Sequence, residues 1–263
     1  MMNKWILVNQ STRPTRTGTA LTESALTLIA WAVEEQVNKD FAPSCGGEPC
    51  TVRVSDGTDL ALDERVLTFV DTFPAAPTPN TDYCDVTTCV DLFGPSGVSV
   101  DVSHLILEDA GNPNCCLTVD DGRGREHEWE RCDPVETQTY VKVHPSGQAV
   151  CVSNFLLNAW VDPTSRGPFT YMASKGVPGY TEPAGPFKSA VGGFQLSYPS
   201  GSSSVTRVFG KDKLSDLIIR NHMSVIKGFP RKRNGAMHWS SRPSRIIAAR
   251  NSRIQALIAS AAP

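Results

Sequence analysis

Long apolar runs are missing from this 263-residue chain. Its most apolar stretch, Ala25 to Val33, is far shorter than the about 20 residues needed to cross a bilayer. No membrane is therefore expected among its partners. The opening residues, MMNKWILVNQ, lack the apolar core and small-residue cleavage site of a secretory signal, so synthesis in a cytoplasm is expected. No G-x-x-x-x-G-K-[ST], G-x-G-x-x-G or G-x-S-x-G stretch occurs, which removes support for phosphate-loop, dinucleotide and α/β-hydrolase chemistry. The cysteines lack the C-x2-C spacing of zinc ribbons. The zincin signature H-E-x-x-H is absent too: His127-Glu128 is followed by Arg131 where the second histidine would stand. The surrounding GREHEWERC reads as a mixed-charge surface loop or hairpin.

What the chain does have is cysteine. Eight are present, including two C-x4-C pairs, Cys45/Cys50 and Cys84/Cys89, in turn-rich segments. They read either as reduced thiols or as short disulfide staples, and the compartment decides between the two.

Charge is divided unevenly. Residues 204–263 carry twelve Lys/Arg against two acids, a net +10, while residues 1–203 carry thirteen against 25, a net −12. A body over 1–203, with a Pro/Gly-rich stretch from about 163, and a basic arm over 204–263 with one or two helices are therefore expected. The arm holds Arg231, Lys232, Arg233, Arg242, Arg245, Arg250 and Arg253, with Trp239 and several aliphatic residues among them. A solvated extension, phosphate contact with nucleic acid, and docking on an acidic protein surface are its three readings. The apolar residues favour protein contact.

In the body, helical spacing of Leu21, Ala25, Leu28, Ile29, Ala32 and Val33 predicts a helix over 22–38, with Thr22 at its start. Strands are predicted at Trp5 to Val8, Thr51 to Val54, Val66 to Phe73, Cys116 to Val119, Thr139 to Val143 and Ala149 to Val152. A second helix is predicted over 99–109. Strands and helices in this order predict an α/β (α+β) fold, a sheet with helices packed on it.

The second predicted helix carries the chemistry. His104 and Glu108 lie at i and i+4, and Asp101 shares their face. An imidazole and a carboxylate so placed are two ligands of a metal platform. A hydrolytic zinc site also needs a third ligand, an open position for water and a general base. The base of a zincin directly follows the first histidine, and here that residue is Leu105.

The run SHLILEDAGNP, then C-D-P-V-E (Cys132 to Glu136), V-S-N-F (Val152 to Phe155), A-W-V-D-P (Ala159 to Pro163), G-P-F-T-Y (Gly167 to Tyr171) and G-G-F (Gly192 to Phe194) resembles a zincin-like family encoded by tailed bacteriophages and bacteria. The resemblance covers the chain to about residue 195. It implies a zincin-like mixed sheet with packed helices, with His104 and Glu108 at the family's first two ligand positions. Asp133 and Glu136 match its C-D-P-V-E carboxylates. Leu105 departs at the base, and Asn112-Pro113 replaces Asp-Pro.

The resemblance therefore implies a non-catalytic structural protein of a tailed-phage virion, a head, neck or tail component made in the host cytoplasm. The basic arm would anchor it to other virion proteins in a symmetric assembly. Two alternatives remain: a zinc-dependent peptidase with an atypical base, and a nucleic-acid-binding accessory protein. No bound cofactor is expected. The alternative is zinc held by His104, Glu108 and Asp133 or Glu136.

Overall fold

The computed structural model of the chain describes residues 3–12, 21–61, 63–71, 81–85, 97–112, 117–200 and 206–209. Strand β1 (Asn3–Asn9) is central to a four-stranded parallel sheet of order β2-β1-β3-β4, formed with β2 (Cys50–Ser55), β3 (Arg65–Val70) and β4 (Thr81–Asp85). Trp5 and Leu7 enter the main core on one face of β1, and the alternate residues Ile6 and Val8 are also buried. A strand buried on both faces must be a continuous apolar run, and WILV is one.

Helix α1 (Glu23–Gln36) follows β1. It starts where the sequence predicts, since the Thr22 side chain accepts the Ala25 N–H at 3.2 Å. It does not end there. The coil widens into a π-helical stretch, Val37–Phe41, and continues as a short helix α2 (Ala42–Cys45), closed by Gly46 at φ 75°. The widened stretch buries Asp40, which accepts hydrogen bonds from Tyr140 Oη (2.7 Å) and Tyr171 Oη (2.8 Å) and pairs with Lys142 at 2.5 Å.

Helix α3 (Gly97–Gly111) contains the predicted 99–109 segment, and every residue from Gly97 to Asp109 is buried. No solvated polar face exists along that stretch. The cause is packing on several sides: α1 and strand β8 (Ala149–Ser153), which pairs antiparallel with β7 (Thr139–Val143), lie against α3. Ser99 Oγ donates to the Cys151 carbonyl, and Ser103 Oγ accepts from Ser153 N–H while donating to Gln36 Oε1. Buried serines so satisfied cost little.

A second sheet is antiparallel, with order β10-β9-β6-β5. Its strands are β5 (Thr118–Asp120), β6 (Arg125–Glu128), β9 (Phe194–Pro199) and β10 (Thr206–Phe209). Its own apolar cluster includes Trp129, Leu156, Trp160, Phe169 and Phe187. The Pro/Gly-rich stretch from about 163 holds β9 and a helical turn, α4 (Tyr171–Ser174). Strand β10, just past residue 203, pairs antiparallel with β9.

The segment GREHEWERC does form a hairpin strand, but it is not exposed. His127, Glu128, Trp129, Glu130 and Arg131 are all buried, the first two on β6, which lies between β5 and β9. Tyr198 Oη donates to Glu128, and His127 bonds Gln195 Oε1 at 3.1 Å.

The Cys45–Cys50 staple does not form. Both thiols are free, with Cys45 Sγ donating to the Leu156 carbonyl at 3.6 Å and Cys50 buried in the main core, where burial pushes its thiol pKa up to about 12. Cys84 lies on β4 opposite Phe69, and Cys89 falls outside the described residues. So do Arg231, Lys232, Arg233, Trp239, Arg242, Arg245, Arg250 and Arg253. No helix among the described residues is long and apolar enough to cross a membrane.

Candidate metal centre

Two elements build the site. Helix α3 supplies His104 and Glu108 from successive turns, as their spacing predicts. The 3-10 turn Asp133–Val135 within C-D-P-V-E supplies Asp133. His104 Nε2 lies 2.6 Å from Glu108 Oε1 and 3.1 Å from Asp133 Oδ1. One ligand atom from each residue falls within a 4.8 Å group. His104 is 3% exposed and Glu108 2%, so the group is inside the protein.

A histidine Nε2 carries at most one hydrogen. When it donates to Asp133, Glu108 Oε1 is left buried without a hydrogen bond, although it is the nearer oxygen. A buried orphaned carboxylate oxygen is costly. A cation among the three atoms would satisfy both carboxylates and use the nitrogen lone pair. The donor set, one imidazole nitrogen and two carboxylate oxygens, suits a divalent ion of the zinc type.

The electrostatics agree with the crowding. Burial opposes a charge on His104, but Glu108 and Asp133 outweigh it and hold the imidazole pKa well above its ordinary value. Burial raises the Glu108 carboxyl to about 7, with His104 opposing and Asp133 reinforcing the shift. Cys132, beside the turn, is fully buried and its thiol is pushed up to about 12 by desolvation.

Glu136 is buried but is not one of the three, because the tight turn that brings Asp133 to His104 carries the chain past it. Asp101 is buried on α3 and also stays outside the group. Leu105, where a zincin has its base, packs into the main core. Asn112 ties off the helix end, where its Oδ1 accepts the Leu117 N–H at 3.0 Å.

The turn bearing Asp133 is held by close packing. The Ala190 N–H bonds the Pro134 carbonyl at 2.9 Å, and Thr137 Oγ1 donates to the Val191 carbonyl at 3.2 Å. A Cβ at Gly193 would sit 2.1 Å from the Pro134 oxygen, so only glycine fits. The motif G-G-F thus abuts the motif C-D-P-V-E. V-S-N-F adds Asn154, whose Oδ1 accepts the Met172 N–H. G-P-F-T-Y adds Thr170, which caps α4, and Tyr171, which reaches Asp40.

Compared with family models, curated proteins and solved structures, the chain finds no match. The fold is α/β, and the triad is a geometric fact of the chain.

Two groups escaped sequence reasoning. Glu130 is 9% exposed, its Oε2 has no hydrogen-bond partner, and its pKa is raised well above the ordinary value by burial and then by Glu108, Glu128 and Asp133. Arg131 is buried over Trp129, with its guanidinium carbon 3.7 Å from the ring centroid, and desolvation lowers its pKa to about 10. No charged residue of GREHEWERC marks either as interior. The available signal was Trp129, a large apolar residue in the middle of the charges.

Proposed function

We propose that the chain is a zincin-like protein that keeps a zinc-binding centre on His104, Glu108 and Asp133 but lacks the hydrolytic base. The observation that carries this reading is the meeting of His104 Nε2 with the buried carboxylate of Glu108 and the partly buried one of Asp133, the nearer Glu108 oxygen having no hydrogen-bond partner. Three protein ligands leave room for a fourth, a water, as in catalytic zinc sites. The leucine at 105 cannot take a proton from that water. The centre then serves to fasten α3 to the C-D-P-V-E turn, which are 22 residues apart between Gly111 and Asp133 but in contact through the ion.

The test is metal analysis of the purified full chain, paired with a peptidase assay. One divalent ion per chain, lost in His104→Ala, together with no peptide cleavage, is the expected result. A metal-free protein would remove the centre, and cleavage abolished by His104→Ala would make it a peptidase.

The wider role we propose is structural, in the particle of a tailed phage. The resemblance of the motifs supports this, as does the division into an acidic body and a basic arm suited to anchoring on neighbouring proteins. Mass spectrometry of purified virions should find the chain in stoichiometric amount. Its absence there would reject the role.

A further inference from the structure

A second inward polar group lies outside the metal centre: Asp40 on the π-helical stretch, Tyr140 and Lys142 on β7, and Tyr171 on α4. Asp40 is buried, and the Lys142 side chain that reaches it is 17% exposed. Lys142 Nζ lies 2.5 Å from Asp40 Oδ2, so the carboxyl carbon Cγ is one bond further on. Neither residue forms another ion pair among the described residues. Aromatic rings pack around the pair. The Tyr140 and Tyr171 centroids are 5.6 Å apart, and the buried Phe155 stacks on Tyr171 at 4.8 Å. A buried ion pair gains little over apolar residues of the same volume, so stability alone gives no reason for this one.

The geometry suits a condensation. Tyr171 Oη donates to Asp40 Oδ1 at 2.8 Å, and Tyr140 Oη donates to Oδ2 at 2.7 Å. Donors fixed on both oxygens draw charge away from Cγ and stabilise the charge that gathers on Oδ1 when a nucleophile adds. Holding amine and carboxyl in contact replaces a chance encounter by a single oriented step. Exclusion of water favours the neutral amine and acid over the two ions, and favours release of a further water. The π-helical widening that buries Asp40 is of a kind that recurs at functional sites.

We propose that Lys142 Nζ and Asp40 Cγ condense into an intramolecular amide bond, a covalent staple between the π-helical stretch and the β7–β8 hairpin. A proton first passes from the Lys142 ammonium to Oδ2, leaving a neutral amine beside a neutral acid. The Nζ lone pair adds to Cγ, and Tyr171 holds the negative charge on Oδ1. A second Nζ proton goes to Oδ2, the Cγ–Oδ2 bond breaks, and Oδ2 departs as water. Oδ1 remains as the amide carbonyl, still accepting from Tyr171, and the third proton stays on the amide nitrogen. No oxidant, metal or second protein takes part, so the staple stands independently of the zinc centre. It restricts the unfolded chain as any long-range cross-link does.

The experiment measures the intact mass of the purified full chain, reduced and denatured, for wild type and Lys142→Arg, each against its own sequence mass. Wild type should be lighter by one water. Lys142→Arg keeps the positive charge but offers no amine to condense, so it should have its full mass. Trypsin does not cut after an acylated lysine, so the wild-type digest should contain residues 40–53 joined to residues 132–166 in one branched peptide. A wild-type chain of full mass, with residues 40–53 and 132–142 released as separate peptides, would overturn the proposal. So would a water loss that persists in Lys142→Arg, which would assign it to a succinimide at Asp56-Gly57 or Asp121-Gly122. If Lys142→Arg fails to fold, the wild-type digest decides alone: the branched peptide supports the staple and its absence overturns it.

Discussion

Gly193 and Pro134 lie in such close contact that a methyl group on the glycine would fall 2.1 Å from the Pro134 carbonyl oxygen. That contact seats the turn from which Asp133 reaches His104. The main chain on both sides is fixed, by Ala190 N–H on Pro134 and by Thr137 on Val191, so the overlap cannot be relieved by rotating a side chain.

Gly193→Ala should therefore do two things at once. Overpacking of this kind costs about 1–3 kcal/mol, which a urea titration would read as a lower midpoint. The displaced turn should also weaken metal binding, measured by competition with a chelator. Full metal affinity in a destabilised variant would mean that the turn is not what positions Asp133.

Metal should stabilise the native chain by mass action. At a free ion concentration of 100 times Kd, the gain is about 2.7 kcal/mol. A thermal melt with and without zinc should show this shift in wild type and none in His104→Ala. Equal shifts in both would place the binding elsewhere.

Asp40 ties the π-helical stretch after α1 to the β7–β8 hairpin and to α4 through Tyr140, Tyr171 and Lys142. Burial pushes both tyrosine hydroxyls up, and Asp40 adds to it, so they remain donors at any ordinary pH. Asp40→Asn should cost about 3–5 kcal/mol, the range for breaking one side of a buried charged pair. Tyr140→Phe and Tyr171→Phe should each cost about 1 kcal/mol. Combined with Asp40→Asn, neither should add its full cost, because the acceptor is already changed. Strict additivity in equilibrium unfolding would mean that the network does not act as a unit.

His127 sets a pH response of definite sign. Desolvation lowers its pKa, against the opposing pull of Asp121. The unfolded chain then binds the proton more readily than the native one, so this contribution is complete above the unfolded value of about 6.5. It is lost as pH falls below that value and through the folded pKa. Unfolding midpoints at pH 7.5 and 5.5 should differ more for wild type than for His127→Gln. An equal difference would remove His127 from the acid response.

Local pattern made much of this legible. The apolar WILV run, the Thr22 cap and the i,i+4 spacing of His104 and Glu108 depend on neighbours within a few residues, and strand, helix start and shared helix face followed from them. The motif C-D-P-V-E was visible as a candidate, yet spacing could not choose between Asp133 and Glu136, because the choice depends on which way a 3-10 turn faces a helix 22 residues earlier.

Burial was decided in three dimensions. The charges of GREHEWERC suggest a surface, and a chain segment has no local means of showing that β6 will be flanked by β5 and β9. The same holds for Glu130, a charged residue that folding takes out of water. The sequence by itself determined which side chains could bind an ion and which one, Leu105, could not serve as base. Only the tertiary structure decided which of them meet, because desolvation and charge proximity are properties of packing between distant segments.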